Sequence, residues 1–121
     1  MQSKPAKREG GDFEIVFYEG VIRMRPDYVD ALIPLAEAYT RKGLYQKGLE
    51  IDKRLSRLCK NDAVVHYNLA CSFALVGEKE KAFLTLKRAI ALGYRDFEHM
   101  RKDMDLKSLQ GDPEFEKLSA P

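Results

Sequence analysis

The chain has 121 residues, enough for one domain or a small repeat array. With 21 Lys and Arg against 19 Asp and Glu, the formal charge is only +2, so the concentrated basic excess of a nucleic-acid binder is missing and nothing selects an acidic membrane surface. An apolar fraction of 45% suffices for an ordinary core, while two cysteines, Cys59 and Cys71, without a CxxC spacing exclude a disulfide framework.

In chain order, residues 1–11 (MQSKPAKREGG) are polar and basic with no apolar stretch behind them. They read as a disordered tail and not as a secretory leader. No window approaches the roughly 18 apolar residues of a membrane span. Sparse free thiols fit a reducing compartment, so the expected location is cytoplasmic. A helical domain is expected over residues 12–119. Its first part, 12–26, is a single helix running from about Phe13 to Arg25 and stopped by Pro26. That helix is apolar on more than one side, with Phe13, Val16, Phe17 and Met24 near one and Ile15, Tyr18 and Ile22 around another.

Residues 29–62 read as a helix pair. Leu32, Leu35, Ala36 and Tyr39 recur at helical spacing before Gly43, and Leu49, Leu55 and Leu58 follow in the second helix. Pro34 interrupts the first helix unless that helix starts at Asp30, which would place the proline in its first turn. Residues 63–96 repeat the plan. Asp62 can cap a helix carrying His66, Leu69, Ala70 and Phe73, and Gly77 can end it in the left-handed conformation. Phe83, Leu86, Ala89, Ile90 and Leu92 form the next stripe, which Gly93 stops. Residues 97–119 form a closing segment in which Asp112-Pro113 is a good helix start and Phe115 and Leu118 can pack back.

A shift of 34 residues lays these pairs on one another. Leu35-Ala36 falls on Leu69-Ala70, Tyr39 on Phe73, Gly43 on Gly77, Gly48 on Ala82, Leu49 on Phe83, and Leu58 on Leu92. A further shift back matches only a half-unit, Ile15 with Leu49, Val21 with Leu55 and Met24 with Leu58. Beyond Tyr94 the register fails, since Asp103 would stand for Leu69 and Lys107 for Phe73.

These residues resemble the tetratricopeptide repeat family, most clearly in HYNLACSFALVGEKEKAFLTLKRAIALG. Leu69, Ala70, Phe73, Gly77, Ala82, Leu86 and Ala89 occupy the signature slots, with His66 where the family often has Trp. In the first copy Gly48 and Leu55 replace alanines, and Asp52 stands at a large apolar slot. The run LGYRDFEHMRKDMDLKSLQGDPEFEKL is similar to the segment closing many bacterial arrays of this kind. The resemblance implies an all-α fold: antiparallel helix pairs in a right-handed superhelical array of about two and a half repeats plus C-terminal capping helices. It also implies that a partner segment lies in a concave groove lined by the first helix of each pair. On this chain the groove residues would be Asp30, Ile33, Glu37 and Arg41 from one helix and Val64, Tyr67, Cys71 and Ala74 from the next. The family's Lys/Asn/Arg grip on a C-terminal carboxylate is absent, since Ile33, Glu37, Tyr67 and Cys71 fill those places.

The expected function is therefore that of a scaffold or adaptor binding a protein or peptide segment, with no catalytic activity, cofactor, metal, nucleic acid or membrane. Two alternatives remain: a self-assembly module, or an accessory domain of an enzyme complex. Only two histidines are present, and His66 sits in a packing slot. Cys59, His66 and Cys71, at spacings of 7 and 5, match no closed zinc site. Asp103 and Asp105 are expected to be solvated acids, and Lys53-Arg54-Arg57 a solvated helix face. The helix of residues 12–26 lacks a partner helix, so Phe13, Val16 and Phe17 are expected to pack on a second copy in a homodimer, unless residues 1–10 or an upstream part of a longer protein cover them.

Overall fold

Three helices of the chain end on a glycine with positive φ: Gly43 at 86°, Gly77 at 88° and Gly93 at 118°. Each time the next amide reaches back five residues, Leu44 to the Tyr39 carbonyl at 2.8 Å, Glu78 to Phe73 at 2.9 Å and Tyr94 to Ala89 at 2.9 Å. A side chain at the glycine position would be strained, so glycine is what lets the carbonyls of the last turn find partners. The first two of these turns stand 34 residues apart, so the sequence period is also a period of backbone hydrogen bonds.

The computed structural model describes the backbone of residues 5–120 and the side chains of residues 12–120. The fold is all-α, with α1 (Pro5–Met24), α2 (Val29–Lys42), α3 (Tyr45–Leu58), α4 (Ala63–Leu75), α5 (Lys79–Ala91) and α6 (Phe97–Lys102), then a 3₁₀ helix (Met104–Leu109) and α7 (Pro113–Leu118). Among the described residues there is no strand, and no helix is long and apolar enough to cross a membrane. The chain forms two compact units, Met1–Leu58 and Cys59–Pro121.

In the first unit α2 packs against both α1 and α3. Leu32, Leu35 and Leu49 have no exposed surface, and Ile15, Ala36, Ile51 and Leu55 are buried around them. Polar contacts fasten α1 to α2: the Tyr39 hydroxyl donates to the Glu19 carboxylate, Arg41 pairs with Glu14 at 2.5 Å, and Lys42 pairs with Asp12. Gly48 lies where α3 crosses α2, and a Cβ there would come within 3.2 Å of the Thr40 hydroxyl. Asp52, at the slot that Leu86 fills in the next pair, is buried.

In the second unit α4 packs against α5 and the 3₁₀ helix, and α5 against α7. Ala82, Leu86, Ala89, Met100, Leu106 and Leu109 are fully enclosed, and Phe115 is nearly so. The Asp62 carboxylate accepts from the Val64 and Val65 amides at 2.9 and 3.2 Å, capping α4. Asp112 caps α7 through the Glu114 amide, with Pro113 at the first position. Phe115 packs back as the pattern predicts, while Leu118 stays half-buried.

Two local expectations change. Of the tail expected over residues 1–11, residues 5–11 belong to α1, which begins at Pro5, and residues 1–4 lie outside the described residues. A proline tolerates that first position because its missing N–H would have no partner there. Pro34 neither interrupts α2 nor lies in its first turn, because α2 begins at Val29 and runs through it. The cost is the one hydrogen bond that an N–H at this position would have made to the carbonyl of Asp30, an exposed residue.

Candidate functional site

The helix α4, AVVHYNLACSFAL, has apolar or small side chains on nearly every side. A helix of that kind needs cover all round. α5 covers one side, and the 3₁₀ helix lies along another. As a result Tyr67, Cys71 and Ala74 are buried, with exposures of 4%, 6% and 4%. Of the four α4 residues expected to line an open groove, only Val64 is exposed. The other three face the chain's own closing segment, which supplies the burial that a partner was expected to supply.

The centre of that contact is Asp103. Its carboxylate accepts from the Tyr67 hydroxyl at 2.6 Å and from the Cys71 thiol at 3.7 Å. His99 Nε2 lies 3.2 Å from the same oxygen, and the other oxygen accepts the Asp105 amide at 3.0 Å, capping the 3₁₀ helix. The Tyr67 ring stacks on Tyr94, with centroids 4.2 Å apart and planes 1° from parallel. The Ser108 hydroxyl reaches the Ala74 carbonyl at 3.5 Å.

This enclosure sets the protonation states. Burial, reinforced by the Asp103 carboxylate that the phenol donates to, pushes the Tyr67 phenol far above its usual range. Burial, then the charges of Asp103 and Asp105, pushes the Cys71 thiol well up, so it remains a protonated donor. Asp105 is also raised, by burial first and by the Asp103 charge second, with His99 opposing. The two acids are therefore not simply solvated, as their polar surroundings in the sequence suggested. Cys71, Asp103 and Asp105 place three ligand-type atoms within 4.8 Å, the one such grouping among the described residues. Through the Tyr67 and Cys71 donors to Asp103, the cluster is a hydrogen-bonded clasp between α4 and the closing segment.

Beside the clasp lies an open cleft of about 460 Å³ walled by Val64, Asn68, Tyr94, Arg95, Asp96 and His99, with one edge of Tyr67. Val64 offers an apolar floor, more than half exposed. Arg95 is held by bonds from one guanidinium nitrogen to the Ile90 and Tyr94 carbonyls, each at 2.9 Å. Asp96 is partly engaged as the α6 cap, accepting the His99 amide at 3.1 Å. Periodicity could not reveal Arg95, Asp96 and His99 as neighbours of Val64, because they belong to the segment where the repeat register breaks down.

In the first unit, Asp30, Ile33, Glu37 and Arg41 are all exposed on α2. Arg41 is drawn toward α1 by Glu14. At the start of α4, His66 Nε2 lies 2.9 Å from the Lys60 carbonyl, a local structural contact.

No family model matches the chain. Over 83 residues, 66% of this chain, it is 29% identical to a protein of Arabidopsis thaliana described as chloroplastic. Over 78 residues, 64% of this chain, it is 35% identical to "Superkiller protein 3" of Schizosaccharomyces pombe. The chain spans 25% and 6% of the lengths of these relatives. The weak similarity and the paired helices with their 34-residue period fit a tetratricopeptide-like helical repeat.

Proposed function

We propose that the chain is a non-catalytic protein-interaction module that holds a short segment of a partner protein against the cleft of its second unit. The observation that carries this reading is the cleft itself. An exposed apolar residue, Val64, lines it together with Asn68, Tyr94 and Arg95. The matching ligand is a segment with an apolar anchor next to an acidic side chain. The rim carries both Arg95 and Asp96, each partly engaged with the backbone of its own segment, and Arg95 is the group that would meet the acidic side chain. A reading without catalysis is supported by the state of the reactive groups: the thiol and the phenol nearest the cleft are both held protonated by burial. The exposed face of α2, with Ile33 between Asp30 and Glu37, is a second contact region of mixed character.

The test is a pull-down from native lysate with wild type and with Val64→Glu/Arg95→Glu, two exposed positions whose change leaves the core intact. A protein captured by wild type and lost by the variant, then mapped to Asn68 and Tyr94 by amide shifts, supports the cleft. Equal capture by both places the contact elsewhere.

A further inference from the structure

Phe13, Val16 and Phe17, the α1 residues expected to meet a second copy, are all exposed. The acids beside them, Asp12 and Glu14, are engaged by Lys42 and Arg41 of α2, and the close grouping of metal-ligand atoms lies elsewhere, under α4. There Cys71 brings a sulfur, Asp103 and Asp105 bring carboxylate oxygens, and His99 of α6 brings an imidazole nitrogen against the Asp103 carboxylate.

Two members of this set are short of partners. The Cys71 thiol, in a residue only 6% exposed, is turned into the cluster and has no hydrogen-bond partner outside it among the described residues. A cysteine enclosed this far ordinarily behaves as a small apolar side chain, yet this one faces two carboxylates. The half-buried Asp105 carboxylate accepts no hydrogen bond from any described residue. When ionised these groups repel one another, and the positive group beside them is a histidine that is charged only when protonated. A divalent cation would remove that repulsion and give both groups a partner.

The donor types say which cation. Calcium and magnesium take oxygen ligands, whereas zinc accepts thiolate, imidazole and carboxylate together. Around a tetrahedral zinc at its usual bond lengths, a nitrogen–oxygen edge is about 3.3 Å and a sulfur–oxygen edge about 3.5 Å. In the structure His99 Nε2 stands 3.2 Å and Cys71 Sγ 3.7 Å from the same Asp103 oxygen, so two edges are already near those lengths. The Asp105 carboxylate lies within 4.8 Å of both other members of its group, and the His99 side chain is more than half exposed, so each can turn to close the remaining edges.

We propose that Cys71, His99, Asp103 and Asp105 bind one zinc ion, which ties α4 to the closing segment. On binding, the Cys71 thiol gives its proton to solvent and becomes the thiolate ligand. The Tyr67 hydroxyl, donating to the Asp103 carboxylate at 2.6 Å, is the outer donor that holds this ligand in orientation. Cys59 and His66 take no part, since neither belongs to the grouping and His66 is held at the Lys60 carbonyl.

The experiment is a titration of the full chain, reduced and stripped of metal, with Zn2+ against a competing chelator and with Co2+ as a spectroscopic stand-in. One ion per chain is expected, with a Kd below about 10 μM for zinc and a thiolate-to-cobalt absorption band in the near ultraviolet. Cys71→Ala is expected to abolish the band. Asp105→Asn and His99→Gln should each weaken zinc by about 100-fold or more, and Tyr67→Phe, which removes only the outer donor, by about tenfold. Cys59→Ser and His66→Gln should leave binding unchanged. Circular dichroism of each metal-free variant checks folding, and the surface change His99→Gln keeps the test open if Cys71→Ala does not fold. Zinc held more weakly than about 10 μM overturns the proposal, as does cobalt binding without the thiolate band. Loss of binding in Cys59→Ser, or full affinity in Asp105→Asn or His99→Gln, overturns this ligand set. Because the metal alone is the probe, the result is independent of whether the cleft holds a partner.

Discussion

The carboxylate of Asp103 takes donors from α4 and from its own turn and faces a histidine of α6, and its neighbour Asp105 bears the consequence. Asp105 sits half-enclosed beside that negative charge, with its proton held more tightly than in the unfolded chain. The sign follows from linkage: a carboxyl raised on folding contributes stability below the unfolded value of 3.8, and that contribution is lost as pH rises through the folded value. Asp105→Asn, neutral at every pH, is therefore expected to melt above wild type at neutral pH. The difference should shrink to nothing as pH falls to the unfolded range, in thermal melts followed by circular dichroism. None of this could be read from the residues alone. Asp103 is 36 positions from Tyr67 and 32 from Cys71, and no short-range pattern links them.

At the scale of elements, the sequence speaks most clearly at helix ends. Glycine stops, the Asp62 cap and the Asp112-Pro113 start all act through local backbone geometry, which is why they are legible. Pro34 misleads because the helix tolerates one lost bond at its solvent-facing side. The two helix pairs also solve one packing problem in two ways. Where the first has Thr40 against Gly48, the equivalent positions of the second, 34 residues on, are both alanine, Ala74 and Ala82. The summed side-chain volume of the two positions is therefore similar in both pairs, divided differently between the helices. Gly48→Ala alone gains helix propensity but crowds the Thr40 hydroxyl, so its net effect is expected near zero or unfavourable. Together with Thr40→Ala it should stabilise, with a coupling of about 1 kcal/mol in a double-mutant cycle read by urea denaturation.

For the whole molecule, the all-α architecture of paired helices was legible from the 34-residue period, because that period is built into the core and the turns. The fate of the α4 face was not. Repeat logic assigns Tyr67, Cys71 and Ala74 to an open surface, and only the segment outside the repeat determines otherwise. The one local hint was that α4 is apolar all round, which an amphipathic repeat helix is not. The second unit also has a core of its own, running from Leu69 through Leu86 to Met100, Leu109 and Phe115. A fragment of residues 59–121 is accordingly expected to unfold cooperatively in urea. One ending at Gly93, lacking the clasp, is expected to lose cooperativity and bind a hydrophobic dye.

The clasp also has a direction in time. A ribosome delivers Tyr67 and Cys71 long before Asp103 and Leu109, so the nascent α4–α5 pair waits with one side bare. Synthesis from residue 91, where α5 ends, to residue 109 takes about 1–4 s at ordinary elongation rates. During that interval the apolar side of α4 is open to chaperones or to neighbouring nascent chains, and only the arrival of the last segment withdraws it.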